Sequence, residues 1–404
     1  MPALIFKKGL DLKREVAGQL AASYHSDLVA GIKANDYRYA DGRLTLHLAR
    51  EFGFCYGVDR AVDYAYQARL KFPTRQVYLT GEIIHNPHVN DQLRAQGIRF
   101  LSDAGESWER LDADAVVILP AFGVPVAELA RLDALGCTLV DTTCGSVLNV
   151  WKNVKRYAHD GFTAIIHGKH WHEETRATAS QAVQVPGGHY LVVLDAAEAD
   201  EVCRFITDAP APGSQARADL LTRFARACSP GFDPDQHLDR VGLANQTTML
   251  STESFAIGEQ FRAAIRARYG EAHESEHFRA FDTICSATQD RQDAVVAMLA
   301  ERPLDLMIVI GGYNSSNTCN LARICAATVP TYHIAEPDGL ESADRIRHRD
   351  VAAKTELVST GWLPDGPLAV GLTSGASTPD NHVEAVVRRL ASLANGPVPR
   401  DATP

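Results

Sequence analysis

Eight cysteines stand at positions 55, 137, 144, 203, 228, 285, 319 and 325, and no two have Cys-X-X-Cys spacing. That spacing disfavours a zinc ribbon or finger. In a large chain read as cytosolic, disulfides are disfavoured as well. Three of the eight share one context. Cys55 closes Glu51-Phe52-Gly53-Phe54-Cys55, Cys144 closes Asp141-Thr142-Thr143-Cys144, and Cys285 closes Asp282-Thr283-Ile284-Cys285. Each stands after a strand end and before a helical pattern. After Cys55 the apolar positions Val58, Ala61, Val62, Ala65 and Tyr66 recur at helical spacing. A thiol placed there meets unpaired N–H groups and the positive end of a helix, both of which favour negative charge on sulfur. A four-iron cluster ordinarily takes four thiolates, so three would leave one iron open. Spacing alone equally allows small buried hydrophobes.

Other strand-end loops carry groups suited to an anion. Gly168-Lys169-His170-Trp171-His172-Glu173-Glu174-Thr175 gathers histidines and carboxylates, which bind phosphate and relay protons. It is not a His-Glu-X-X-His zinc site, because position 176 is Arg. Gly311-Gly312-Tyr313-Asn314-Ser315-Ser316-Asn317-Thr318 and Gly371-Leu372-Thr373-Ser374-Gly375-Ala376-Ser377-Thr378-Pro379 place small polar residues at helix starts. They suit phosphate and are also plain helix caps. With His85-Asn86-Pro87-His88 and Asn245-Gln246-Thr247-Thr248 they point to an anion with several acceptor oxygens, such as a diphosphate. The chain has no phosphate loop of the nucleotide triphosphatases and no clear dinucleotide fingerprint.

Short apolar runs alternating with amphipathic helices predict an α/β fold with mostly parallel sheets. The expected strands are Leu44–Leu48, Gln76–Thr80, Ala115–Leu119, Thr138–Val140, Thr163–Ile166, Tyr190–Leu194, Leu306–Ile310 and Leu368–Leu372. The repeated cysteine context predicts three similar units: 44–143, 144–281 and 282–394. Residues 1–43 form an N-terminal extension with an amphipathic helix near Leu12–Val29. A turn-rich surface insertion covers about 207–239, and a Pro-rich tail 395–404.

The chain has 404 residues, 46% apolar and 22% charged, enough to fold around large cores without staples. A formal net charge of −10 argues against broad binding to nucleic acid or an anionic membrane. No apolar run reaches membrane-span length. The N-terminus lacks a secretory signal, and Asp11 and Glu15 fit a transit peptide poorly. A cytoplasmic protein is expected, or a plastid-stromal one if a transit peptide has been removed.

Read in order, eight motifs resemble the IspH/LytB family of 4-hydroxy-3-methylbut-2-enyl diphosphate reductases, in its longer cyanobacterial and plant-like branch. They are Gly53-Phe54-Cys55-X-Gly57-Val58-X-Arg60-Ala61, His85-Asn86, Asp141-X-Thr143-Cys144, His172-X-Glu174, Gln246-Thr247-Thr248, Ile284-Cys285-X-Ala287-Thr288, Asn314-Ser315-Ser316-Asn317 and Gly375-Ala376-Ser377-X-Pro379-Asp380. The resemblance runs from about Leu44 to about Leu393. It implies a trefoil of three α/β units around a central [4Fe–4S] cluster with one iron not held by cysteine, and Cys55, Cys144 and Cys285 as ligands. It implies the last step of the methylerythritol phosphate route to isoprenoids, with ferredoxin or flavodoxin as electron donor. His85, His172, Ser315, Ser316, Asn317 and Ser377 would hold the diphosphate. Glu174 would deliver protons to the substrate hydroxyl, aided by Thr247. One position departs from the pattern: Phe122-Gly123-Val124 stands where many bacterial members have His-Gly-Val, with Lys169 or His170 as candidate replacement.

Two other readings remain at this level. A different iron–sulfur dehydratase, such as a quinolinate-synthase-like enzyme, would act on a carboxylate. An iron–sulfur redox sensor would carry a DNA-binding element with a basic face, and none is visible. Lys152–Arg156 is basic and suits an acidic electron donor as well as solvent.

Overall fold

The runs Thr163–His167, Val241–Asn245 and Leu306–Ile310 are buried at every residue. Parallel strands covered on both faces read this way, because each must cross over through a helix to reach its neighbour. In the computed structural model, which describes residues 4–396, the chain forms two compact bodies. One takes the start of the chain to Lys8, then Phe72–Ile83 and Ile98–Cys285; the other takes Gly9–Lys71, Ile84–Gly97 and the chain from Ser286.

The first body holds two all-parallel sheets. The five-stranded one has the order Ile5–Phe6, Thr138–Asp141, Val116–Leu119, Val77–Leu79, Ile98–Phe100. The four-stranded one has the order Phe278–Ala280, Val241–Asn245, Thr163–His167, Tyr190–Val193. Helices Gly145–His159, Ala196–Asp208 and Ser251–Tyr269 cover the latter through Val154, Tyr157, Val202, Ile257 and Phe261. Each fully buried side chain of this kind contributes roughly 1.5–3 kcal/mol.

The second body holds a seven-stranded sheet. Four parallel strands form its middle, in the order Thr331–Ile334, Leu306–Ile310, Leu368–Ser374, Leu44–Leu48. Antiparallel strands flank them: Arg345–Arg349 and Glu356–Thr360 on one side, Arg38–Asp41 on the other. Helix Asp380–Asn395 packs Val383, Val386, Val387 and Leu390 against this sheet.

All eight strands expected from the sequence form, within a residue or two of their ends. The helix expected near Leu12–Val29 is two helices, Lys13–Tyr24 and Asp27–Ala34. The break lies at Ser26, whose Oγ accepts the Val29 N–H at 3.0 Å and donates to Glu384 at 2.6 Å. A capping serine competes with the helix for its own backbone bonds. Residues 4–43 are built into the fold: Ile5–Phe6 pairs with Thr138–Asp141, and Val16, Val29 and Ile32 are buried. Leu44–Leu48 joins Leu368–Ser374, so the segment 44–143 feeds two different sheets. The segment 207–239 forms helices Gln215–Arg223 and Pro234–His237 and buries Leu220, Phe224, Phe232 and Leu238. Of the expected tail, residues 397–404 lie outside the described residues. No helix among the described residues is long and apolar enough to cross a membrane.

Candidate active site

A thiol that ligates metal must lose its proton, and burial in apolar surroundings opposes that. Four of the eight cysteines are set apart on this ground. Burial pushes the thiols of Cys137 and Cys228 up, and those of Cys203 and Cys325 up to about 12. Cys319 donates its S–H to the Tyr313 carbonyl at 3.4 Å. Cys55, Cys144 and Cys285 are half-buried, outside any disulfide, each directly before a helix: Tyr56–Lys71, Gly145–His159 and Ser286–Glu301.

These three cysteines are built alike. The strand before each pairs in parallel with a neighbour ending at Leu119 (for Cys144), Asn245 (for Cys285) or Ser374 (for Cys55). The cysteine N–H donates to the carbonyl two residues beyond that end: Ala121 at 2.9 Å, Thr247 at 3.2 Å and Ala376 at 3.2 Å. The Asp-Thr-X-Cys turns also match. Asp141 Oδ1 accepts the Thr143 N–H at 3.0 Å, and Asp282 Oδ1 the Ile284 N–H at 3.1 Å. Thr142 and Thr283 tie the turns to the neighbouring strands, through the Leu119 carbonyl at 2.6 Å and the Asn245 N–H at 2.7 Å. Thiols are the donors that iron–sulfur clusters take.

In the first body, strand Thr163–His167 leads through the 168–172 loop into helix Glu173–Ala182. His172 caps this helix: its Nδ1 accepts the Glu174 N–H at 3.1 Å, so the ring carries its hydrogen on Nε2. Glu174 is 2% exposed, and its Oε1 accepts the Thr247 N–H at 2.6 Å. The main chain of Thr247 therefore joins the Glu174 carboxyl to Cys285. Gln246 Oε1 accepts from the Lys169 N–H and the Thr175 hydroxyl, each at 3.1 Å, which fixes the loop. The Phe122 ring stands edge-on to the His172 ring with centroids 5.5 Å apart, an apolar wall where the family pattern has a histidine.

In the second body, two helix-start loops clasp each other and His85. Asn317 Oδ1 accepts the Ala376 N–H at 3.1 Å and its amide donates to Thr288 Oγ1 at 3.4 Å. Ser377 Oγ donates to the His85 carbonyl at 3.2 Å, and Asn86 Nδ2 to the Ser377 carbonyl at 2.8 Å. Asn314 Nδ2 donates to His85 Nδ1 at 3.3 Å, which leaves the His85 hydrogen on Nε2. His85, Ser315, Ser316, Asn317 and Ser377 are all buried. With the N-terminus of helix Ser316–Ala326 they form a donor-rich cradle for an anion. Two glycines permit the close approach. A Cβ on Gly312 would stand 2.7 Å from the His85 carbonyl oxygen, and one on Gly375 would overlap Thr318 Oγ1. Thr288, a motif residue to which the family resemblance assigns no role, is 1% exposed and holds Asn317.

Beneath this cradle, His333 Nε2 donates to the Gly311 carbonyl at 2.9 Å. Burial pushes its pKa down from 6.5 to about 4. The folded pKa lies below the unfolded one, so the neutral ring's contribution is complete above pH 6.5. It is lost as pH falls from 6.5 towards 4, amounting to at most about 3 kcal/mol. We expect urea midpoints to fall across that window, and the fall to shrink in His333→Gln, whose amide keeps a donor. An unchanged slope in that variant would remove His333 as a source of the acid sensitivity.

Parallel α/β sheets, thiols at strand ends, a buried carboxyl and polar groups gathered at helix starts are the construction of an α/β enzyme. The family model described as LytB protein matches residues 46–391, and the chain belongs to that family. It is similar to the 4-hydroxy-3-methylbut-2-enyl diphosphate reductase of Gloeobacter violaceus, 48% identical over 395 residues covering 96% of this chain and 92% of the relative. It is 47% identical over 390 residues to the reductase of that name from Thermosynechococcus vestitus, covering 96% and 94%. Among solved structures it resembles (E)-4-hydroxy-3-methyl-but-2-enyl diphosphate reductase, described as the terminal enzyme of the non-mevalonate pathway. There the identity is 26%, the coverage 85% of this chain and 98% of that one, and the TM-score 0.52. The Plasmodium falciparum E-1-hydroxy-2-methyl-but-2-enyl-4-diphosphate reductase shares the fold, with 21% identity, coverage of 85% and 87%, and a TM-score of 0.60.

Proposed function

We propose that this chain reduces 4-hydroxy-3-methylbut-2-enyl diphosphate, the last step of the methylerythritol phosphate route to isoprenoids. Two electrons and two protons enter; the C–O bond breaks, water leaves, and isopentenyl and dimethylallyl diphosphate form. Family membership supports this reading. The observation that carries it is the path from the buried Glu174 carboxyl through the Thr247 main chain to Cys285.

Cys55, Cys144 and Cys285 would hold the cofactor. The fit rests on their shared construction: each stands directly before a helix, with its N–H anchored to the carbonyl two residues past a neighbouring strand end. When bound, a [4Fe–4S] cluster with one iron not held by cysteine supplies electrons and a Lewis-acid position. Ferredoxin or flavodoxin would deliver the electrons.

The protein's own groups divide the rest. His85 and His172, each with hydrogen on Nε2, donate to the diphosphate with Ser315, Ser316 and Asn317, and Ser377 joins them by turning its hydroxyl from the His85 carbonyl. Holding that end fixes the reach of the five-carbon chain and so orients its hydroxyl. Glu174 gives its proton to the departing oxygen. Its Oε1 is held as acceptor by the Thr247 N–H, which fixes the carboxyl in place. The Thr247 hydroxyl assists.

The test is turnover of 4-hydroxy-3-methylbut-2-enyl diphosphate by anaerobically reconstituted protein with a chemical reductant, with iron and sulfide counted on the same sample. Both five-carbon diphosphates are expected as products. A fully loaded protein that leaves the substrate intact rejects this reading.

A further inference from the structure

Arg291, in helix Ser286–Glu301, is 3% exposed. Its Nη2 donates to the Gly53 carbonyl and its Nη1 to the Ala287 carbonyl, each at 2.7 Å. Its Nε has no hydrogen-bond partner, and no carboxylate pairs with it among the described residues. Carbonyl oxygens solvate a cation but carry no net charge. Burying a charge without a counter-charge costs several kcal/mol. A folded chain keeps such a residue when something it binds supplies the negative charge.

The two accepting carbonyls indicate what that is. Gly53 lies two residues before Cys55, and Ala287 two residues after Cys285. One rigid guanidinium fork thus joins the loop that carries one candidate ligand to the helical turn that follows another. We propose that Arg291 is a positioning residue and the counter-cation of the iron–sulfur site. It braces the Cys55 loop against the first turn after Cys285, and its charge makes the bound cluster easier to reduce. This rests on the proposed function and adds a determinant of the cluster's potential to it. The sign follows from Coulomb's law: reduction adds negative charge, which a nearby cation in a low-dielectric setting stabilises.

Charge and brace separate experimentally. Arg291→Met keeps bulk and loses both. Arg291→Lys keeps the charge and loses the fork. The measurements are the cluster's midpoint potential, by an anaerobic spectroscopic redox titration, and the rate of iron loss to a chelator, with far-ultraviolet circular dichroism as a check on folding. In Arg291→Met the reduction equilibrium should shift at least about tenfold against the reduced form, or about 59 mV more negative for one electron, and iron should leave faster. Arg291→Lys should hold the potential within about threefold of wild type in that equilibrium, yet lose iron faster. Should the Met variant fail to fold, the Lys variant decides alone: iron loss at the wild-type rate overturns the brace, and with it the proposal. A folded Met variant with wild-type potential and wild-type iron retention also overturns it. Failure of wild-type protein to assemble any cluster would defeat the functional reading and this proposal together. A loaded wild type beside an indifferent Met variant defeats this proposal alone.

Discussion

Glu174→Gln should lower kcat for the reductive dehydroxylation by about 10²–10⁴-fold, the usual contribution of a placed general acid. The substitution is nearly isosteric. The glutamine Oε1 can still accept the Thr247 N–H that Glu174 Oε1 accepts at 2.6 Å, so this anchor to the main chain is kept. What disappears is the transferable proton. Iron content and affinity for the diphosphate end should therefore stay at wild-type values while kcat collapses and KM moves little. Single-turnover experiments on the loaded variant, with the product separated and counted, read this directly. Near-normal turnover would remove Glu174 as proton donor. Loss of iron would instead assign it a structural part in the Cys285 turn.

The second large effect belongs to the cysteines. Alanine at Cys55, Cys144 or Cys285 should each abolish a stable cluster and with it turnover, because a site with three thiolates has no spare donor. Alanine at Cys319 should leave iron and turnover unchanged, since its sulfur is engaged with the Tyr313 carbonyl. Reconstitution followed by iron and sulfide analysis compares all four variants. A full complement of iron in any of the first three would strike that cysteine from the ligand set. The variants themselves should remain folded. Each cysteine is anchored through its backbone N–H to a neighbouring strand end, not through its sulfur alone.

Much of this was legible from residue order. The apolar runs that became central parallel strands stand out because both faces are buried, and polar residues would break the pattern. The edge strands do not. Arg345–Arg349 reads Arg-Ile-Arg-His-Arg, with only Ile346 and His348 buried, and looks like surface until its antiparallel partner Glu356–Thr360 is seen. The helix cap at Ser315 was readable, where small polar residues open a helix. The fork of Arg291 was not. A charged residue inside a helix pattern ordinarily signals an exposed face, and only the fold places carbonyls at both ends of it. Phe122 illustrates a third case: the sequence marks a missing histidine, while the structure shows its ring against His172.

Thr247 and Ala376 occupy corresponding places, each two residues past a strand end. Each gives its N–H to a side chain of the site, Glu174 and Asn317 respectively, and its carbonyl to a cysteine N–H. Neither residue's own side chain has a part in these bonds. An alanine scan passes over Ala376 altogether, and at Thr247 it removes only a hydroxyl. Two of the firmest joints in the site thus belong to positions that tolerance maps would score as permissive. Only proline, which deletes the donor, would reveal them.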